Sequence, residues 1–442
     1  MTVTPVPPSE TLTSDSISSR QIWAASLASI FAWSLDLFDL FILLYIAPTI
    51  GPLFFPSNSP TLSLAAVYAS FAVTLLMRPV GSALFGGYAD KNGRKRAMIV
   101  AVFGVGIATA LLGALPTIEA IGLLAPVLFL ILRLVQGIFV GGVVASTHTI
   151  GTETVAPKWR GLLSGAIGGG GAGVGGLLAS VVFLIVSLFF PGPAFAVWGW
   201  RFMFFSALVS TVLSFFIFRA VEESPLWARQ ERQAGVVKAP VREVFSRKYA
   251  GVVLVNLLIT FGGGAMYYLT SGYLPAFLAK VNHLPKPAAA HILIWLSIVV
   301  IIVAPLVGHL SELVGRKPTL IGTGLVSLVV IPITYHRLAL LGPGDIGAIT
   351  AYAVILTILG NAAYAPILVF LNERFPTAIR SSGTGLSWNM GFAIGGMMPT
   401  FVTLASGSLA GIPLSLTIFL TVIVVLFLAG SIITPETRGR FA

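Results

Sequence analysis

One short pattern occurs twice in this chain, 222 positions apart. Gly86-Gly87-Tyr88-Ala89-Asp90-Lys91-Asn92-Gly93-Arg94-Lys95-Arg96 follows the second long apolar run, and Gly308-His309-Leu310-Ser311-Glu312-Leu313-Val314-Gly315-Arg316-Lys317 follows the eighth. Both read Gly-x-x-x-acid-x-x-Gly-Arg-Lys at the end of an apolar segment, so the chain is two copies of a six-segment unit. Repeats of this kind are typical of solute carriers in which one half rocks against the other around a site between them.

Composition leads to the same solvent. Of 442 residues, 56% are hydrophobic and 9% charged, against about 25% charged in soluble domains. A chain this apolar needs lipid around it. Runs long enough to cross about 30 Å of hydrocarbon fall at 22–50, 62–89, 97–115, 120–150, 161–190, 201–220, 251–279, 289–310, 318–335, 345–371, 382–405 and 411–433. The expected fold is an all-α membrane protein of twelve transmembrane helices in two six-helix halves. Residues 1–21 form a polar tail, 22–220 the N-terminal bundle and 221–250 a charged linker. Residues 251–433 form the C-terminal bundle and 434–442 a short tail. The tail has no basic region followed by a short apolar core, so it reads as a disordered segment rather than a cleaved leader. The absence of cysteine removes disulfides and thiolate chemistry.

The cations set the orientation. Of 26 Lys and Arg residues, 20 fall in alternate gaps, the linker or the tails, which places both termini in the cytoplasm. The net charge of +11 then follows from this bias and from anionic headgroups. It calls for no nucleic-acid partner.

Further motifs accompany the repeat. Leu132-Arg133-Leu134-Val135-Gln136-Gly137 is followed by Gly141-Gly142. Glu153-Thr154-Val155-Ala156-Pro157-Lys158-Trp159-Arg160-Gly161 is echoed by Glu373-Arg374-Phe375-Pro376 with Arg380 and Gly383. Glu223-Ser224-Pro225 is echoed by Pro435-Glu436-Thr437. On these motifs the chain resembles the major facilitator superfamily over nearly its whole length. The resemblance implies alternating access, a functional monomer and a multi-pass protein of the plasma membrane, in a bacterium the inner one. It also implies that the loop residues work a conformational latch: Gly86, Asp90, Gly93, Arg94, Glu153 and Arg160 in the first half, with Glu312, Arg316, Glu373 and Arg380 in the second. Asp90 would face a helix N-terminus in the other half, and Arg94 and Arg160 would pair with Glu153. The plainer role for these charges is to enforce topology.

Ionisable residues inside the membrane are costly and mark function by default. Here they are Asp36 and Asp39 in helix 1, Arg78 in helix 2 and Arg133 in helix 4. Asp36 and Asp39 lie three apart and share a helix face. Two carboxylates there resist ionising together, so one of them is expected to hold a proton reversibly. Arg133 needs an anion, and the economical arrangement sets it opposite the pair with Gln136 one turn on. The Asp-x-x-Asp of helix 1 resembles the carboxylate–proton symporters of the superfamily (the metabolite, aromatic-acid and sialate branches). That resemblance implies proton coupling through Asp36, Asp39 and Arg133 and the import of a small organic anion. A structural Asp–Arg pair joining helices 1 and 4 is the alternative. Arg78, in an Arg-Pro-x-Gly stretch, either holds substrate or snorkels to the interface.

The second half carries no charge near mid-membrane. It offers Asn256, Tyr267, Tyr268, Thr270 and Tyr273 in helix 7, Trp295 in helix 8, Asn361 and Tyr364 in helix 10, and Trp388 and Asn389 in helix 11. The expected substrate contacts are Arg133, Arg78, Gln136, Tyr268, Asn361, Tyr364, Asn389 and Trp388, since amides and phenols at lipid depth need partners. Gly262 to Gly264 are a candidate hinge. In helix 5 a glycine run resembles the superfamily's antiporter motif, but Ala172 stands where that motif has proline. This disfavours drug efflux. A sugar or polyol symporter lacks its Gln-rich helix 7 here. No nucleophile–base pair, metal-ligand cluster or phosphate loop points to an enzyme, a metal or a cofactor.

Overall fold

The computed structural model describes residues 19–92, 94–209, 211–213, 240–375 and 379–439. Among them every regular element is helical. The first half comprises α1 (Ser19–Phe54), α2 (Pro60–Asn92), α3 (Arg94–Ala114), α4 (Leu124–Thr154), α5 (Pro157–Phe189) and α6 (Phe195–Leu213). The second comprises α7 (Ala250–Lys280), α8 (Lys286–Val314), α9 (Arg316–Ala339), α10 (Ile346–Asn372), α11 (Arg380–Ala405) and α12 (Ile412–Ile433). Ten of these are apolar enough to cross a membrane on length and composition alone. The other two are α3, whose apolar stretch Ile99–Ala114 is shorter, and α11, which is rich in small and polar residues. Residues 214–239, which include 221–239 of the expected linker, lie outside the described residues.

The outer surface is apolar. Leu123, Phe189 and Val209 are 79%, 77% and 72% exposed, a surface that only hydrocarbon can cover. This is a multi-pass integral membrane protein. Trp295, offered above as a polar residue of the interior, is 60% exposed and belongs to that outer surface.

Glycine brings the two halves together. Along α5, Gly161, Gly165, Gly169 and Gly173 recur every fourth residue and form one stripe. That stripe lies against Gly308, Ala304, Ile301 and Ser297 of α8. A Cβ on Gly173 would stand 2.8 Å from the Ile301 nitrogen and 2.9 Å from the Ser297 oxygen. Only glycine allows this approach. Gly175 and Gly171 turn to α1 instead, meeting Ser34 and Trp33.

Helices α5 and α7 depart from α geometry beside the interface between the halves. Ala166–Gly170 of α5 and Tyr268–Gly272 of α7 are single π-helical turns, a device frequent at functional sites. The expected hinge at Gly262 to Gly264 is regular helix, and those glycines serve packing against Phe427, Ile367 and Phe392. The irregularity in α7 begins four residues later, at Tyr268.

Candidate functional site

The site's charged core is assembled by α1, α2 and α4. The absent side chains of Gly81, Gly137 and Gly141 let α2 and α4 touch backbone to backbone, at Ile138, Thr74 and Arg78 respectively. Pro79 follows Arg78 and removes one helical N–H. Arg78 therefore leaves a tightly fixed helix and points at α1. Its Nη1 donates to Asp36 Oδ2 at 3.3 Å and its Nη2 to Asp36 Oδ1 at 3.5 Å. Both residues are 7% exposed. A two-pronged guanidinium–carboxylate pair at this depth satisfies both charges and fixes their orientation.

This differs from the arrangement the sequence suggested in two respects. Arg78 neither snorkels to an interface nor stands alone, because Asp36 holds it. Arg133, expected opposite the aspartate pair, lies within electrostatic reach of Asp39 but spends its hydrogen bonds on Gln136 Oε1 and on the Ser70 carbonyl at 3.4 Å. Gln136 in turn donates to Thr109 Oγ1 at 2.6 Å. These contacts tie α2, α3 and α4 into one strut. Asp39, 4% exposed, lies within electrostatic reach of Arg133 and Asp36 and beside the Thr109 side chain. Its Oδ1 makes no hydrogen bond.

A cavity opens where this cluster meets the second half. Arg78 and Trp33 line it from the first half, and Tyr267, Tyr268, Tyr364, Trp388, Asn389 and Phe392 from the second. Five expected substrate contacts, Arg78, Tyr268, Tyr364, Trp388 and Asn389, thus meet around one space. Arg133 and Gln136 do not line it, and Asn361 lines a neighbouring cavity that shares Tyr267 as a wall. The rings are close: Trp388 and Phe392 stack at 3.9 Å, and Tyr364 meets Trp388 edge-on at 5.2 Å. Trp33, Thr109 and Phe392 join the site without standing out in the sequence, although Trp33 lies three residues before Asp36 on the same face of α1. Among the described residues no three His, Asp or Glu side chains gather into a metal-sized cluster.

Among the described residues the two halves touch at both ends. At the end carrying the duplicated loops, the Gly161 N–H donates across the halves to Glu312 Oε2 at 3.0 Å. Trp159 stacks on His309 there at 5.7 Å. At the opposite end Tyr68 of α2 stacks on Tyr273 of α7 at 5.1 Å, and Lys286 lies 4.9 Å over the Phe195 ring.

The second-half copy of the loop motif forms a buried ion network. Arg316, 1% exposed, donates to Glu312 at 2.6 Å, to Glu373 at 3.1 and 2.9 Å, and to Ser311 Oγ at 2.8 Å. Thr437 adds a 2.8 Å bond to Glu373. Glu436 caps α9, accepting from the Arg316 and Lys317 N–H groups at 3.0 and 3.1 Å. Partial burial pushes the Glu436 carboxyl up, but the N–H groups of Arg438, Arg316, Lys317 and Thr437 outweigh it and hold it below its ordinary value. Its stabilising contribution is therefore complete above the usual carboxylate range and is lost as pH falls through the lowered value. Of the expected latch, Glu312, Arg316 and Glu373 are brought together, with Gly161 as the cross-half contact. The side chains of Asp90, Arg94, Glu153 and Arg380, with Gly86 and Gly93, lie outside the described residues.

Comparison with known proteins agrees with this architecture. The family model of the Major Facilitator Superfamily matches residues 22–400. The glycine betaine/proline/ectoine/pipecolic acid transporter of Dickeya dadantii is 29% identical over 391 residues, covering 86% of this chain and 76% of the relative. The alpha-ketoglutarate permease of Escherichia coli is 28% identical over 88% of both chains. The structure of the E. coli xylose transporter in a partially occluded, inward-open conformation superposes with a TM-score of 0.71 at 18% identity, covering 95% of this chain and 99% of that one. The protein is a transporter and not an enzyme: it belongs to the Major Facilitator Superfamily.

Proposed function

We propose that this protein imports a small organic anion together with protons, by alternating access, across the plasma membrane (the inner membrane of a bacterium). It works as a monomer with both termini in the cytoplasm. The observation that carries the reading is the Arg78–Asp36 pair at the wall of a cavity between the halves.

Among the described residues Arg78 is the one cation lining that cavity, and Asp36 already occupies both prongs of its fork. A substrate carboxylate competes with Asp36 for the same guanidinium. Protonating Asp36 removes the competitor, so proton and anion binding support one another. Asp39, with one oxygen unpartnered and a second carboxylate nearby, is a further place for a proton. Arg133, Gln136 and Thr109 position Asp39. Once both charges are matched, the cavity closes at the lower cost of a neutral load, and the halves rock about the α5–α8 glycine stripe. Gly161 and Glu312 then separate, opening the far side.

Replacing Asp36 and Asp39 together by Asn should abolish pH-driven accumulation while the protein still inserts and folds. Accumulation surviving in that double variant contradicts the coupling. A second reading is supported by the rings around Arg78: a zwitterion would place its carboxylate on Arg78 and its ammonium against Tyr364, Trp388 and Phe392. The relative that transports glycine betaine and proline favours including both compounds in the uptake panel.

A further inference from the structure

The neighbouring cavity is built differently from the one at Arg78. It has a volume of about 30 Å³, room for one hydroxyl- or water-sized group, and lies between α1, α5, α7, α8 and α10, with the Tyr267 ring as the wall shared with the Arg78 cavity. Among the described residues its lining contains no Asp, Glu, Lys, Arg or His. It does contain three deeply buried polar atoms with no hydrogen-bond partner: the Tyr267 hydroxyl, Thr357 Oγ1 and Asn361 Oδ1. These residues are 2%, 2% and 0% exposed. Thr357 and Asn361 are four apart on α10 and so share a face. Three unmatched polar atoms around one space are uncommon in a folded interior, where such groups are otherwise paired.

Their chemistry specifies the missing partner. Asn361 spends its amide N–H groups on the Thr357 carbonyl at 2.8 Å and on Ser271 Oγ at 3.2 Å. Its Oδ1 can then only accept, so it needs a donor. Tyr267 and Thr357 carry hydroxyls that give or take. A ligand hydroxyl meets this set, donating to Asn361 and accepting from Tyr267 or Thr357. A bare keto or ether oxygen leaves Asn361 unmatched. A second carboxylate would enter a cavity with no cation to meet it. The space itself exists because α5 presents Gly173 and Gly176 here: a Cβ on Gly176 would stand 3.0 Å from Ser297 Oγ.

We infer that this cavity is a second subsite, which takes a hydroxyl or other neutral donor on the substrate chain, so that the preferred solute is a hydroxylated monocarboxylate. The inference rests on the reading of Arg78 as the carboxylate anchor. It assigns selection to Tyr267, Thr357 and Asn361, with Tyr267 reporting to both spaces.

The test uses the purified full chain, with Trp33 and Trp388 at the Arg78 cavity as fluorescent reporters. Butanoate, its 2-, 3- and 4-hydroxy derivatives, succinate, butan-1-ol and butane-1,4-diol are titrated in turn. The best hydroxybutanoate should bind about tenfold tighter than butanoate, the effect of one hydrogen bond to an otherwise unmatched buried group. Succinate should bind more weakly than that hydroxybutanoate. Tyr267→Phe and Thr357→Val, which remove an oxygen and little volume, should each draw the hydroxy-to-deoxy ratio toward one. Equal binding of butanoate and every hydroxybutanoate by the unmodified protein overturns the subsite while leaving the anion reading intact. A preference that persists undiminished in both variants overturns it as well. If no carboxylate binds, yet the diol is preferred over the alcohol and Thr357→Val removes that preference, the subsite stands and the anion reading falls.

Discussion

Replacing Arg78 by Gln should lower pH-driven carboxylate uptake at least about a hundredfold. Two losses combine. The cavity loses the cation that Arg78 places in its lining, and Asp36, 7% exposed, loses both of its guanidinium bonds. Removing one partner of a buried ion pair typically costs about 3–5 kcal/mol, so the single variant should also be less stable than the parent. Asp36→Asn in the Arg78→Gln background removes the stranded charge. The double variant should regain much of the thermal stability and none of the uptake. Arg78→Lys keeps the charge but loses the fork, and its uptake should fall between the two. Initial uptake rates and melting temperatures of the three purified variants check this. Uptake by Arg78→Gln within tenfold of the parent contradicts the assigned role.

Arg316→Gln should produce the largest loss of stability at a site remote from substrate. Arg316 holds Glu312 and Glu373 together across a 1%-exposed position and also binds Ser311. Without the guanidinium, two carboxylates face one another with little water between them, a cost again of about 3–5 kcal/mol. The effect reaches the other half because Glu312 also accepts from Gly161. The variant should melt well below the parent, and a cysteine placed at Ala304, on the α5–α8 contact, should label faster with a thiol reagent. Adding Glu373→Gln should restore part of the stability by removing one of the opposed charges. An unchanged melting temperature and unchanged labelling in Arg316→Gln contradict the network's role in closure.

The architecture was legible in the sequence because it depends on quantities a sequence carries. Run length gave the spans, and the repeat of Gly-x-x-x-acid-x-x-Gly-Arg-Lys gave the two halves. Start points moved where local geometry intervened: α6 was expected from 201 but begins at Phe195, through a π-helical turn at Phe195–Gly199. The identity of the buried charges was equally plain, since four ionisable residues within apolar runs stand out. Their pairing was not. Spacing on α1 fixed that Asp36 and Asp39 share a face, but whether Arg78 or Arg133 faces them depends on the rotation and separation of α2 and α4. Those are set by backbone contact at Gly81, Gly137 and Gly141, which no periodicity encodes. The same limit explains Trp295, which reads as an interior polar aromatic and lies on the outer surface. It also explains Asn361, which shares its cavity with Tyr267 rather than with Arg78.

The most direct test is uptake by the purified protein in proteoliposomes, with an inward proton gradient and labelled lactate, hydroxybutanoates, dicarboxylates, aromatic acids, sialic acid, glycine betaine, proline and xylose. The account predicts that a carboxylate accumulates above equilibrium, that a protonophore collapses the accumulation, and that neutral sugar does not compete. Equilibration without accumulation, or transport of neutral solutes alone, contradicts it and leaves Asp36, Asp39 and Arg78 as a structural cluster.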